Sequence, residues 1–142
     1  MNRSISKTLS SNDVGTTGGH QAGILVPKQK EILSFFPHLN SEVKNPRTVL
    51  VVREIGDNSR WEFNYIYYNN KFFGGTRNEY RLTGMTKFLR AIAAKEGDDL
   101  VFSVDANLSF FVELRRKSEA SAAGSDDQGV LVLGKGWKII DT

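Results

Sequence analysis

A chain of 142 residues can bury a core without help from disulfides or metals, and with no cysteine it has neither a disulfide framework nor a thiolate metal site. No apolar run approaches a membrane span, the N-terminal MNRSISK lacks the apolar segment of a signal peptide, and a reducing, cytoplasmic setting fits. The 19 Lys+Arg against 16 Asp+Glu leave a net charge of +3, compatible with a nucleic-acid partner without requiring one.

In chain order, SISKTLS (4–10) alternates polar and apolar residues and reads as a first strand. SNDVGTTGGH (11–20) is a polar, glycine-rich loop. AGILVP (22–27) is a short strand, and Pro27 suits the first position of a helix over 28–36 that stops before Pro37. RTVLVVREI (47–55) and RWEFNYIYY (60–68) are rich in β-branched and aromatic residues, with GDNS as the hairpin turn between them. Residues 69–81 form a second polar loop. Met85, Phe88, Leu89, Ile92 and Ala93 recur at helical spacing, and Gly97 stands where a C-terminal cap belongs. Segments 99–106, 108–117 and 130–140 are further strands, and the small, polar 118–129 is a linker. The expected fold is therefore mainly β with two short helices: a seven-stranded open barrel forming one domain over 1–142.

The two polar loops are the candidate sites, because function concentrates on loops held by a rigid frame. In GGTRNEYR (74–81), an arginine fork matches O6 and N7 of guanine, while a carboxylate can accept from the N4 amino group of cytosine. Arg77, Glu79 and Arg81 thus carry side chains for both members of a G·C pair. A loop that merely holds phosphates has no use for Glu79. The plain alternative is a surface ion pair between Arg77 and Glu79. NDVGTTGGHQ offers Asp13, Thr16, Thr17, His20 and Gln21 as hydrogen-bonding groups, or else as a self-bonded turn; no Gly-Lys-Ser/Thr closes it as a phosphate-gripping loop.

SSNDVGTTGGHQAGILVP and IYYNNKFFGGTRNEYRLT together resemble the N-terminal effector domain of EcoRII-type restriction endonucleases, and FFPHLN and NPR continue the likeness over roughly the first eighty residues. The resemblance implies a DNA-binding pseudobarrel, a fold shared with plant transcription-factor domains, that grips double-stranded DNA with two arms in the major groove. Carried over by position, Lys7, Asp13, Thr16, Thr17, His20 and Gln21 fall in the first arm or the strand leading to it. Asn69, Asn70, Lys71, Arg77, Asn78, Glu79 and Arg81 fall in the second. Tyr80 and Gly75 stand where basic residues are expected, which lowers the expected phosphate contact and salt dependence. The implied target is CCWGG, W being A or T, with a covalently linked nuclease domain elsewhere in the protein and a prokaryotic, nucleoid-associated location.

No catalytic constellation is expected in this chain. Glu42-Val43-Lys44 has the tail of a Mg²⁺-nuclease motif, but upstream stands Pro37-His38 with no Asp. Two separated histidines and no cysteine argue against a transition-metal site, so no cofactor is expected. Arg115-Arg116-Lys117 reads as a solvated strand end, Trp61 and Trp137 as packing, and Lys28, Lys30, Lys87 and Arg90 as surface charges. Two other functions compete: a free-standing transcriptional regulator on the same fold, and a single-strand binder stacking bases on Tyr65, Tyr67 and Tyr68. Alternation in FNYIYY puts Tyr68 opposite the other two, which breaks that platform.

Overall fold

The β-branched and aromatic stretches pair first with their nearest neighbours. β3 (Arg47–Glu54) and β4 (Arg60–Tyr68) form a hairpin in register from Arg47↔Ile66 to Arg53↔Arg60. Side chains alternate across β3, with Leu50 and Val52 buried and Val49 and Val51 exposed. The computed structural model describes residues 3–15, 23–117, 130–132 and 136–140. The predicted 118–129 linker lies outside these.

The remaining strands are β1 (Arg3–Thr8), β2 (Ile24–Val26), β5 (Glu79–Thr83), β6 (Asp99–Val104), β7 (Phe110–Arg115), β8 (Val130–Val132) and β9 (Trp137–Ile140). They form one nine-stranded sheet in the order β2-β5-β4-β3-β7-β6-β1-β9-β8. Every pairing is antiparallel except β3 with β7. The sheet curls so far that the Trp137 indole, on the eighth strand in that order, donates to the Leu25 carbonyl on the first at 2.9 Å. An open barrel was expected and is found. Its two additional strands have simple origins: β5 begins inside the stretch read as a loop, and 130–140 is two paired strands, β8 and β9, rather than one.

The core fills the curl. Trp137, Phe63, Phe88, Phe102 and Tyr65 are almost completely buried. Phe36 stacks on Tyr65 at 4.8 Å between ring centroids and meets Phe102 and Trp137 edge-on. Trp61 packs edge-on against Phe88.

Helices are shorter than their sequence patterns, and there are three among the described residues. α1 (Ser11–Val14) is a single turn inside the stretch read as loop, held by a reciprocal cap. Asp13 N donates to Ser10 Oγ at 3.1 Å and Ser10 N to Asp13 Oδ2 at 2.9 Å. α2 is regular only over Lys30–Leu33, and Pro27 precedes its cap Gln29 rather than opening it. Turns bonded three residues back then carry Phe35 and Phe36 into the core. α3 (Thr86–Ala91) ends well before Gly97. Ala93 N bonds Arg90 O, Ala94 N bonds Leu89 O, and Ala93 itself takes the left-handed conformation at φ 53°. Arg116, read as a solvated strand end, secures this stop by donating to Ala93 O at 2.6 Å and Ile92 O at 2.9 Å.

Candidate nucleic-acid interface

One end of the sheet, β2-β5-β4, carries both roots of the second candidate arm and the C-terminal root of the first. The first arm runs from β1 to β2 and re-enters the sheet at Gly23; the second joins β4 to β5. Thr16, Thr17, His20 and Gln21 lie outside the described residues, so the geometry below concerns the rest.

Two asparagines build the second arm inward. Asn69 is completely buried. Its Oδ1 accepts from Asn45 N at 2.6 Å, its Nδ2 donates to Ser41 O at 3.1 Å and Val43 O at 2.9 Å, and its backbone N donates to Asn45 Oδ1. Its amide pins the arm's root to the 41–45 loop, so the DNA contact expected at Asn69 would require these bonds to break. Asn70 opens a 3₁₀ turn (Asn70–Phe73), and its Oδ1 accepts from Arg77 N at 2.6 Å. A Cβ at Gly75 would stand 2.8 Å from the Asn70 side chain, so a larger residue there would require Asn70 to shift. Lys71, Phe72 and Phe73 are exposed at the tip. The two phenylalanines read as ordinary aromatic residues in sequence; their exposure is a property of the turn.

From Arg77 onward the chain straightens, and alternate residues fall on one face. Arg77, Glu79 and Arg81 form a continuous array. Arg77 directs Nε (2.9 Å) and Nη2 (2.8 Å) to Glu79 Oε1, and Arg81 directs Nε (3.1 Å) and Nη2 (3.0 Å) to Glu79 Oε2. Arg77 also lies over the Tyr68 ring, 3.7 Å from its centroid, while Arg81 Nη1 donates to Gly23 O at 3.1 Å. Partial burial pushes the Glu79 carboxyl up, but hydrogen bonds and charge from the two arginines outweigh it and hold the group below its usual range. The pairing that the sequence left as an alternative is present, and it engages both arginines.

The opposite face of the same strands is aromatic. Tyr67 and Tyr80, paired across β4 and β5, stack at 4.1 Å and 3°. Tyr65 lies 5.8 Å from Tyr80, and burial raises the pKa of both Tyr65 and Tyr80. The Tyr67 hydroxyl donates to Asn78 Oδ1 at 2.7 Å, so Asn78 is oriented by this stack. Tyr65 and Tyr67 are buried while Tyr68 faces out under Arg77, as the alternation required, so the three make no stacking platform. Tyr68, named in the sequence only as a base-stacking candidate, lies opposite Glu79 across β4 and β5.

The arms meet at Gly23, at φ +87°, where a Cβ would stand 2.3 Å from Leu82 O on β5. Lys7 and Asp13, expected in the first arm or the strand leading to it, pair with each other. Lys7 Nζ sits 3.4 Å from Asp13 Oδ2, with side chains 9% and 8% exposed, and donates to Thr8 O at 3.1 Å. A buried lysine paired in this way is held by the protein, and a phosphate contact would require it to turn outward. Among the described residues there is no cluster of three or more His, Asp or Glu able to hold a metal.

Residues 3–127 match the family described as restriction endonuclease EcoRII, N-terminal. This chain belongs to that family. It is 42% identical over 79 residues to the type II restriction enzyme EcoRII of Escherichia coli, a match spanning 54% of this chain but 19% of that enzyme. Auxin response factor 11 of Oryza sativa is 30% identical over 110 residues, which span 78% of this chain and 10% of that protein. Two solved structures share the fold. The Arabidopsis FUS3–DNA complex gives a TM-score of 0.61 at 21% identity, covering 78% of this chain and 94% of that one. The B3 domain of the UbaLAI restriction endonuclease with cognate DNA gives 0.64 at 19%, covering 98% and 86%. The chain thus has the pseudobarrel fold of these two structures. No helix among its described residues is long and apolar enough to cross a membrane.

Proposed function

We propose that this domain binds double-stranded DNA sequence-specifically, as the targeting or effector part of a restriction endonuclease, and reads CCWGG with its two arms in the major groove. The observation carrying this reading is the Arg77–Glu79–Arg81 array, which sets two guanidinium forks and one carboxylate at the junction of the arms. Arg77 is the guanine reader and Glu79 the acceptor for a cytosine amino group. Arg81, bonded to both Glu79 and Gly23, holds the array in place. Lys71, exposed at the tip, suits a phosphate, and Asn78 a base or sugar edge. Thr16, Thr17, His20 and Gln21 complete the first arm in this reading. Family membership supports it, as do the DNA-bound states named for the two structural relatives. Cleavage then belongs to a nuclease domain in the larger protein, which DNA binding here would release from inhibition or tether near its substrate.

The test is a titration at fixed salt with a CCWGG duplex, the same duplex with its central pair changed to G·C, a scrambled duplex and one single strand. Preference for the first establishes the target. Equal, weak, salt-sensitive binding to all duplexes refutes CCWGG, and absence of binding refutes the function. The likeness to auxin response factor 11 favours one second reading, a transcriptional regulator on the same fold. A reading frame that continues into a nuclease would exclude it.

A further inference from the structure

We infer that Glu79 latches Arg77 in the free domain, and that the latch opens only when a guanine edge replaces the carboxylate, so that guanine and cytosine are read together. The inference rests on the DNA-binding reading above. A carboxylate offers about four lone-pair sites. All four are occupied here, two by each arginine, at 2.8–3.1 Å. In this state Glu79 has no site left for a cytosine amino group, and the Arg77 fork has already spent two donors. Glu79 cannot accept from a base until one arginine leaves, and until then the Nε–Nη2 edge of Arg77 stays engaged.

Arg77 is the one that leaves. Its side chain is 41% exposed against 19% for Arg81, and Arg81 carries a further bond to Gly23 O that ties it to the first arm. When Arg77 turns to guanine O6 and N7 it exchanges one bidentate partner for another, and Oε1 becomes free at the same moment. If a cytosine amino group stands there, both new bonds form. If it does not, a half-buried carboxylate faces phosphate charge with an empty acceptor site, which opposes binding. Discrimination therefore arises from the exchange as well as from the contacts. Tyr68 is a positioning residue: its ring supports the Arg77 guanidinium by stacking, a contact that needs no particular hydrogen-bond partner.

The test follows the Arg77 Nε–H and Glu79 carboxyl-carbon NMR signals of the domain, free and with saturating CCWGG or scrambled duplex. The expected result is a hydrogen-bonded Arg77 signal in the free domain that moves, together with that of Glu79, on the CCWGG duplex alone. Glu79→Gln should weaken CCWGG binding on the order of tenfold and strengthen binding to the scrambled duplex. Tyr68→Leu should shift the Arg77 signal in the free domain and narrow the preference between the duplexes. Specific binding with both signals unmoved would overturn the latch and leave the DNA reading intact, as would equal movement on both duplexes. A domain that binds no duplex would overturn both.

Discussion

Replacing Asn69 by alanine separates a structural pin from a DNA contact. The substitution removes three side-chain hydrogen bonds, to Asn45 N, Ser41 O and Val43 O, from a position with no solvent exposure. At about 0.5–1.5 kcal/mol each, the loss is roughly 1.5–4.5 kcal/mol. Ser41 and Val43 are exposed residues whose carbonyls can regain water, so the expected cost lies near the middle, about 2–3 kcal/mol. For a chain of this size that lowers Tm by roughly 5–10 °C. Asn69→Asp should be at least as damaging, because it turns a negative oxygen toward two carbonyl oxygens. Thermal unfolding followed by circular dichroism reads both variants. A fall of less than about 2 °C, accompanied by lost DNA affinity, would refute the pin and restore Asn69 to the interface.

Other substitutions address the frame. Gly23→Ala forces a Cβ against Leu82 O at a left-handed backbone position, and should cost about 2 kcal/mol or more in urea unfolding. Because Gly23 O also holds Arg81, its DNA preference should weaken as well. Trp137→Phe removes the indole bond to Leu25 O and leaves space in a fully buried site, for roughly 2–3 kcal/mol by the same measurement. Asp98 is nearly buried: burial pushes its carboxyl up, but donors from Lys117 N, Lys95 N and Arg116 hold it below the usual carboxylate range. A depressed folded-state value means this contribution is complete above the unfolded carboxylate pKa and is lost as pH falls through the folded one. The acid limb of the stability profile should therefore be flatter in Asp98→Asn than in the native protein.

Much of the molecule can be read before it is folded. The alternation in RTVLVVRE and RWEFNYIYY specifies a hairpin with one buried face, because a side-chain period of two leaves each strand a single apolar side. It also separates Tyr68 from Tyr65 and Tyr67. The R-x-E-x-R spacing of residues 77–81 has the same period, yet glycines and polar residues around it read as loop, so the onset of β5 at Glu79 was missed. Pairing with β4 and β2 made that strand. The helices fell short for a related reason. Ala93 and the guanidinium of Arg116, 23 residues away in sequence, end α3, and no local pattern announces that cap.

What the sequence by itself determined is the class of chemistry: forks and a carboxylate in one short segment, and strands enough for an open barrel. Tertiary structure decided which side chains remain available. Asn69 and Lys7 are polar residues in site-like segments, but burial commits them to Asn45 and Asp13, since a buried polar group must find its partner inside the protein. Glu79 and Arg77 stay near the surface because a curled sheet brings β5 beside β2, and the bond from Arg81 to Gly23 joins arms that lie 58 residues apart in the chain. Local sequence carries propensity and period; availability depends on contacts between distant segments, which exist only once the sheet has closed around its core.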